Sequence, residues 1–149
     1  MKFLLYIKIG LKGLLFINPG HALHFQLPFG DGDLPKYPRP YLVVNVKPEY
    51  LYLLNVSSIK KKIWKLEKPS NKQIDNHYHY PPFPYPSFVK MDFVYRIPNK
   101  EYLKQYLMDN GSCLHKFALD EIVHALLEFQ EKQLHIISEQ QLFQLNTVH

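Results

Sequence analysis

The sequence predicts an α+β fold, with a small antiparallel β-barrel first and helix last. Three observations carry that reading. Between His21 and Ile97 the apolar residues alternate or run continuously over strand-length stretches, each bounded by Pro, Gly, Asn or Ser. Beyond Lys100 they return at helical spacing, with Ile122, Leu126 and Phe129 on one stripe. Aromatic residues make up 15% of the chain, with 11 Tyr, 10 Phe and 12 Pro, a mix that suits strands and Pro-punctuated loops better than a helical bundle.

The elements follow in order. Residues Met1 to Ile17 (MKFLLYIKIGLKGLLFI) have the early Lys and the apolar content of a signal peptide. Lys8 and Lys12 interrupt the stretch, no small-x-small cleavage site follows, and the uninterrupted runs fall far below the ~20 residues of a membrane span. The segment therefore reads as an extension or extra strand ahead of a domain at residues 18–133, with a signal ranked second and an anchor a distant third. In His21 to Phe29, Ala22, His24 and Gln26 take one face and Leu23, Phe25 and Leu27 the other, as in a half-buried strand. Gly30 to Asp33, with Pro35, Pro38 and Pro40, forms a flexible loop. Tyr41 to Val46 and Tyr50 to Val56 are strands joined by a turn at Lys47-Pro48-Glu49.

Ser57-Ser58 closes the second of these strands, and Lys60-Lys61-Lys62 follows as a basic stripe before a short strand at Ile63 to Leu66. Lys68 to Pro86 is a long aromatic loop containing His77-Tyr78-His79-Tyr80. Ser87 to Ile97 predicts a strand pair or one bulged strand, broken by Pro98-Asn99. Lys100 to Met108 fits a short helix ended by Asn110-Gly111, Leu119 to Gln133 the main helix, and residues 134–149 a helical or disordered tail.

A chain of 149 residues makes one domain on the usual scale of about 100–200. At 46% hydrophobic and 21% charged it buries a core and is not a disordered tail. A single cysteine, Cys113, excludes an intramolecular disulfide framework and a multi-Cys zinc site. No period of 20–50 residues recurs, which excludes repeat architectures. The net charge of +5 suits either a polyanionic partner, nucleic acid being the commonest, or a merely soluble surface. That charge is almost all lysine. Arg39 and Arg96 are the only arginines, so they mark the places where a planar fork for phosphate is available.

Four segments together resemble the MazF/PemK-type toxin family, the type II toxin–antitoxin endoribonucleases. Gly20-His21-Ala22-Leu23 through Pro28-Phe29-Gly30-Asp31-Gly32 is similar to the family's opening strand and loop. Pro38-Arg39-Pro40-Tyr41-Leu42-Val43-Val44 resembles its Arg-Pro-x-Leu-Val-Val strand. Leu54-Asn55-Val56-Ser57-Ser58 stands where the family has a strand ending in Thr or Ser. Pro86-Ser87-Phe88-Val89-Lys90-Met91-Asp92 through Arg96-Ile97 resembles its late strand, followed by a C-terminal helix. The resemblance covers about residues 18–133. It implies an SH3-like barrel of the CcdB/MazF/PemK kind, a cytoplasmic homodimer away from any membrane, cleavage of single-stranded RNA with no metal or other cofactor, and an antitoxin protein that wraps the groove.

Metal-independent RNA cleavage must deprotonate the 2′-OH, stabilise a pentavalent phosphorane and protonate the leaving 5′-oxygen. Arg39 is the expected catalytic residue at the phosphorane, because guanidinium offers a bidentate fork and two prolines fix its backbone. Ser57 is the second expected catalytic residue, a neutral donor to a phosphate oxygen. Ser58 is its adjacent alternative and an RNA contact, since alternation turns only one of the pair to the groove. His21, His24, His77 and His79 are the candidate bases. His77 and His79 share a face in an extended segment, but with no further ligand at metal spacing. With Tyr78 they are better read as an RNA-binding loop that stacks bases, or else as part of an aromatic cover for the barrel, and Lys60, Lys61 and Lys62 beside them as RNA contacts or as a solvated turn. The alternative is a non-catalytic RNA- or protein-binding module on the same barrel.

Overall fold

The computed structural model describes residues 16–74 and 81–147. The expectations for residues 1–15 and for His77, Tyr78 and His79 lie outside the described residues. The frame is one six-stranded sheet, formed by β1 (Ala22–Phe25), β2 (Arg39–Val46), β3 (Tyr50–Ser58), β4 (Asn71–Gln73), β5 (Ser87–Pro98) and β6 (Gln133–Ile136). The path runs β1-β2-β3-β5-β4 with every pairing antiparallel, and β6 joins β5 in parallel. Among the described residues β1 and β4 end the path, so the sheet is open. The α+β expectation holds.

The continuous apolar runs of β2 and β3 have a simple cause: both faces of the sheet are covered. On one face Leu42, Leu54, Val56, Val89 and Met91 meet Ala118, Ile122 and Leu126 of helix α1 (Lys116–Glu128). On the other, Leu23, Phe25, Val43, Leu53 and Ile97 meet Leu103, Ile137 and Leu142. Helix α2 (Glu139–Thr147) contributes Leu142 to this second core. Phe83, from the aromatic loop, packs into the α1 side.

Several boundaries differ from expectation. Ile63–Glu67 is a 3-10 helix with no buried residue rather than a strand, because its carbonyl at Lys65 is captured by the Asn71 side chain at 2.9 Å instead of a sheet partner. Glu101–Tyr106 is also 3-10. Helix α1 starts at Lys116, capped by the His115 side chain, and ends at Glu128, so Gln133 belongs to β6. The segment after residue 133 is helical only in its second part. It supplies β6 and then α2, and Ser138 with Gln141 forms a capping box: each side chain accepts from the other's backbone N–H, at 3.1 and 3.0 Å. Asn146 then holds the end of β1 as a backbone would. Its Oδ1 accepts from the Gln26 N–H at 2.7 Å, and its Nδ2 donates to the Gln26 carbonyl at 3.0 Å.

His21 is a structural residue. It is 2% exposed, and its Nδ1 accepts the Asn18 N–H at 2.8 Å. The proton therefore sits on Nε2, which donates to the Gly111 carbonyl at 3.0 Å. Burial lowers its pKa below 6.5 against the opposing pull of that carbonyl. As pH falls below 6.5 the unfolded chain protonates first, so stability is lost from there down to the depressed folded value. Urea unfolding from pH 7.5 to 5 should show this fall. His21→Ala should lower stability at pH 7.5 by about 1–3 kcal/mol, for the polar groups left unpaired, and should flatten the decline.

Candidate functional site

Pro38 and Pro40 bracket Arg39 at the start of β2, where it pairs with Phe25. Register then aligns a polar strip across the sheet. Tyr41 lies opposite Asn55, Asn55 opposite Lys90, and Lys90 opposite Asn71. One pleat further, Ser57 lies opposite Phe88. Continuing the β2–β3 register by the same step sets Arg39 across from Ser57. Arg39, Asn55, Ser57 and Lys90 thus share one face, the face whose apolar part forms the second core.

The same alternation turns Ser58 to the opposite face, where its Oγ accepts the Lys60 N–H at 3.2 Å and closes a turn. Of the three exposed lysines that follow, Lys62 acts electrostatically on Lys90. Lys61 takes the positive-φ position of the turn (φ 61°), and Lys60 donates its backbone to Ser58.

Above the strip lies the loop after β1. It is closed on itself, with the Phe29 N–H bonded to the Asp33 carbonyl at 2.6 Å and the Asp33 N–H to Asp31 Oδ1 at 2.9 Å. Gly30 lies so close to the Phe93 ring that a Cβ there would overlap it. The Arg39 guanidinium sits 5.2 Å from the centre of the Phe29 ring, and its buried Nε has no hydrogen-bond partner among the described residues. Phe93 stands out because β5 carries extra residues. From Lys90 to Tyr95 is five steps, against two from Asn55 to Leu53 on β3. The bulge leaves a cavity of about 350 Å³. Phe29, Gly30 and Asp31 wall one side, and Asn55, Lys90, Asp92, Phe93 and Tyr95 form the rest.

The charges are concentrated here. Burial pushes the Lys90 pKa down, and Lys65, Arg39 and Lys62 push it further, against a partial offset from Asp92. Lys65 belongs to the 3-10 helix pinned by Asn71, and its ammonium lies 5.5 Å from the centre of the exposed Trp64 ring. Tyr95 is pushed up to about 12, first by burial and then by the Asp92 and Asp31 carboxylates. Among the described residues neither Arg39 nor Lys90 forms an ion pair.

The candidate bases fare unevenly. His21 is locked in its structural bonds, and His24 points to the face opposite Arg39. Lys90, Trp64 and Lys65 are the site residues that sequence reasoning missed. Only Lys90 left a trace, as the one cation inside the run Ser87–Ile97 ahead of Arg96. The apolar stripe of α1 is spent on the sheet: Ile122 and Leu126 are buried there and Phe129 packs beside them. Among the described residues no group of three His, Cys, Asp or Glu is placed to hold a metal ion, and no helix is long and apolar enough to cross a membrane.

Because the folded state disfavours the Lys90 proton, its charged form costs stability, and that cost is released as pH rises through the folded value toward 10.5. Lys90→Met should therefore raise the urea midpoint at pH 7 with no change in m. It should also remove the stability gain that the wild type shows on going to higher pH.

No protein-family model matches this chain, and no curated protein matches it.

Proposed function

We propose that this protein is an endoribonuclease of the MazF/PemK toxin type, cleaving single-stranded RNA by attack of the 2′-OH without a metal. The observation that carries the proposal is a guanidinium and a hydroxyl on one sheet face, Arg39 and Ser57, beside Lys90, Lys62 and Lys65, which have no acidic partner among the described residues. A polyanion is the ligand that such a strip lacks. The open, mostly antiparallel sheet with helix on its faces suits an SH3-like barrel of the CcdB/MazF/PemK kind.

In this reading Arg39 places two N–H donors on the non-bridging oxygens as the phosphorane forms, and Ser57 donates to the same group. The 2′-proton passes to solvent and the departing 5′-oxygen takes one back, while Lys90, a half-buried cation, adds positive charge beside the phosphate. Lys62 and Lys65 hold the flanking phosphates, and Trp64 offers a ring to an unpaired base. The protein acts as a cytoplasmic homodimer restrained by an antitoxin protein that covers this strip.

Incubation of labelled single-stranded RNA with pure protein in EDTA should yield 2′,3′-cyclic phosphate and 5′-hydroxyl ends. Arg39→Ala should lose about 10²–10³ in rate, the scale for removing one transition-state donor, and Arg39→Lys should not restore it. Ser57→Ala should lose less. All three should keep the wild-type circular dichroism. Cleavage only with added metal would overturn the mechanism. Binding without cleavage would make Arg39 a phosphate anchor in an RNA-binding module.

A further inference from the structure

The cavity between the loop after β1 and the β5 bulge has features that phosphate binding does not use. Its polar lining consists largely of acceptors. Asp92 Oδ1 accepts the Phe93 N–H at 3.1 Å with one lone pair and keeps the other, and its second oxygen is unused among the described residues. Asp31 spends Oδ1 on the Asp33 N–H and likewise keeps one. Asn55 is only 8% exposed and donates Nδ2 to the Pro40 carbonyl at 3.3 Å, so its Oδ1 accepts nothing from the described residues. No described residue forms an ion pair with either carboxylate. One strong donor, the Lys90 ammonium, stands in the same lining. The remaining walls are aromatic and close together, because the missing Cβ of Gly30 lets the loop rest on the Phe93 ring.

A ligand that satisfies this lining is flat, presents two adjacent donors to a carboxylate, and turns an acceptor to an ammonium. Among the RNA bases guanine alone has that edge: N1–H beside the 2-amino group, with O6 next to them. Adenine and cytosine each set one amino donor beside a ring acceptor, and uracil sets one N–H between two carbonyls. Unpaired bases are read in this way, by edge hydrogen bonds and by stacking on aromatic rings. A bare cation is a poorer occupant, since Lys90, Lys65 and Arg39 raise the local positive potential. We propose that this pocket binds a guanine next to the phosphate held by Arg39, with Asp92 on its N1–H and 2-amino edge and Lys90 on O6. The proposal rests on the RNA-cleaving reading and gives it a base preference.

The test uses DNA pentamers, which lack the 2′-OH and so report binding apart from cleavage. Thymidine pentamers with a central guanine, hypoxanthine, adenine, cytosine or thymine are titrated at fixed salt. Guanine should bind about tenfold or more tighter than adenine, cytosine or thymine, the lower range for one bidentate contact. Hypoxanthine, lacking the 2-amino group, should fall between. Asp92→Asn should abolish the guanine preference while leaving the all-thymidine affinity within about twofold, and Lys62→Ala should weaken all five alike. Equal affinity for the five, or a guanine preference retained by Asp92→Asn, would overturn the proposal. RNA cleavage without base preference would remove the guanine pocket and leave the nuclease. Guanine-selective binding by a protein that never cuts RNA would do the reverse.

Discussion

Strand β5 is the constraint on which the rest of the molecule depends. Over its first half it pairs with β3 on one side and β4 on the other; over its second half it pairs with β3 and β6. Between the halves it accommodates residues that β3 does not match, and these are the residues that lift Asp92 and Phe93 out of the regular pleat. A bulge of this kind re-aims side chains without breaking the sheet, and bulges gather beside functional sites. The loop after β1 then finds its seat on Phe93, and only glycine at residue 30 permits that contact. Strand pairing, cavity and loop position thus share one cause.

Electrostatic cost is the second theme. A folded protein usually pairs a half-buried cation with a carboxylate, yet Lys90 is surrounded mainly by Arg39, Lys62 and Lys65. Asp92 and Asp31 are nearby but face the cavity, where they raise the Tyr95 pKa rather than closing ion pairs. Unrelieved like charge of this sort is a standing free-energy cost, and perturbed groups in a cleft are common where a ligand completes the balance. Arg39 adds to it, with a buried Nε unbonded among the described residues and its guanidinium over the Phe29 ring.

What the sequence disclosed was whatever depends on neighbours along the chain. The runs in β2 and β3 read as strands because their apolar content is local, and Arg39 drew notice because it is a rare arginine between two prolines. Strand β6 went unseen for the opposite reason: four residues with little burial become a strand only by lying beside β5. The Ser138–Gln141 capping box was written in the chain, but the helix behind it is short and its apolar face faint. Lys90 could not be singled out in advance, since its importance comes from Asn55, Asn71 and Lys65 meeting it from three other segments. His21 shows the reverse case, a histidine whose chemistry looked available until Asn18 and Gly111 were seen to occupy both nitrogens.

The clasp between Asn146 and Gln26 spans 120 residues. A chain emerging from the ribosome at about 5–20 residues per second makes Gln26 roughly 6–24 s before the residue that receives its N–H and carbonyl. Over that interval β1 can pair with β2, but the strand end that leads into the cavity loop is unpinned. The seating of the loop after β1 is therefore tied to completion of a distant helix, and a nascent chain carries Phe29, Gly30 and Asp31 well before that helix holds the strand leading into them.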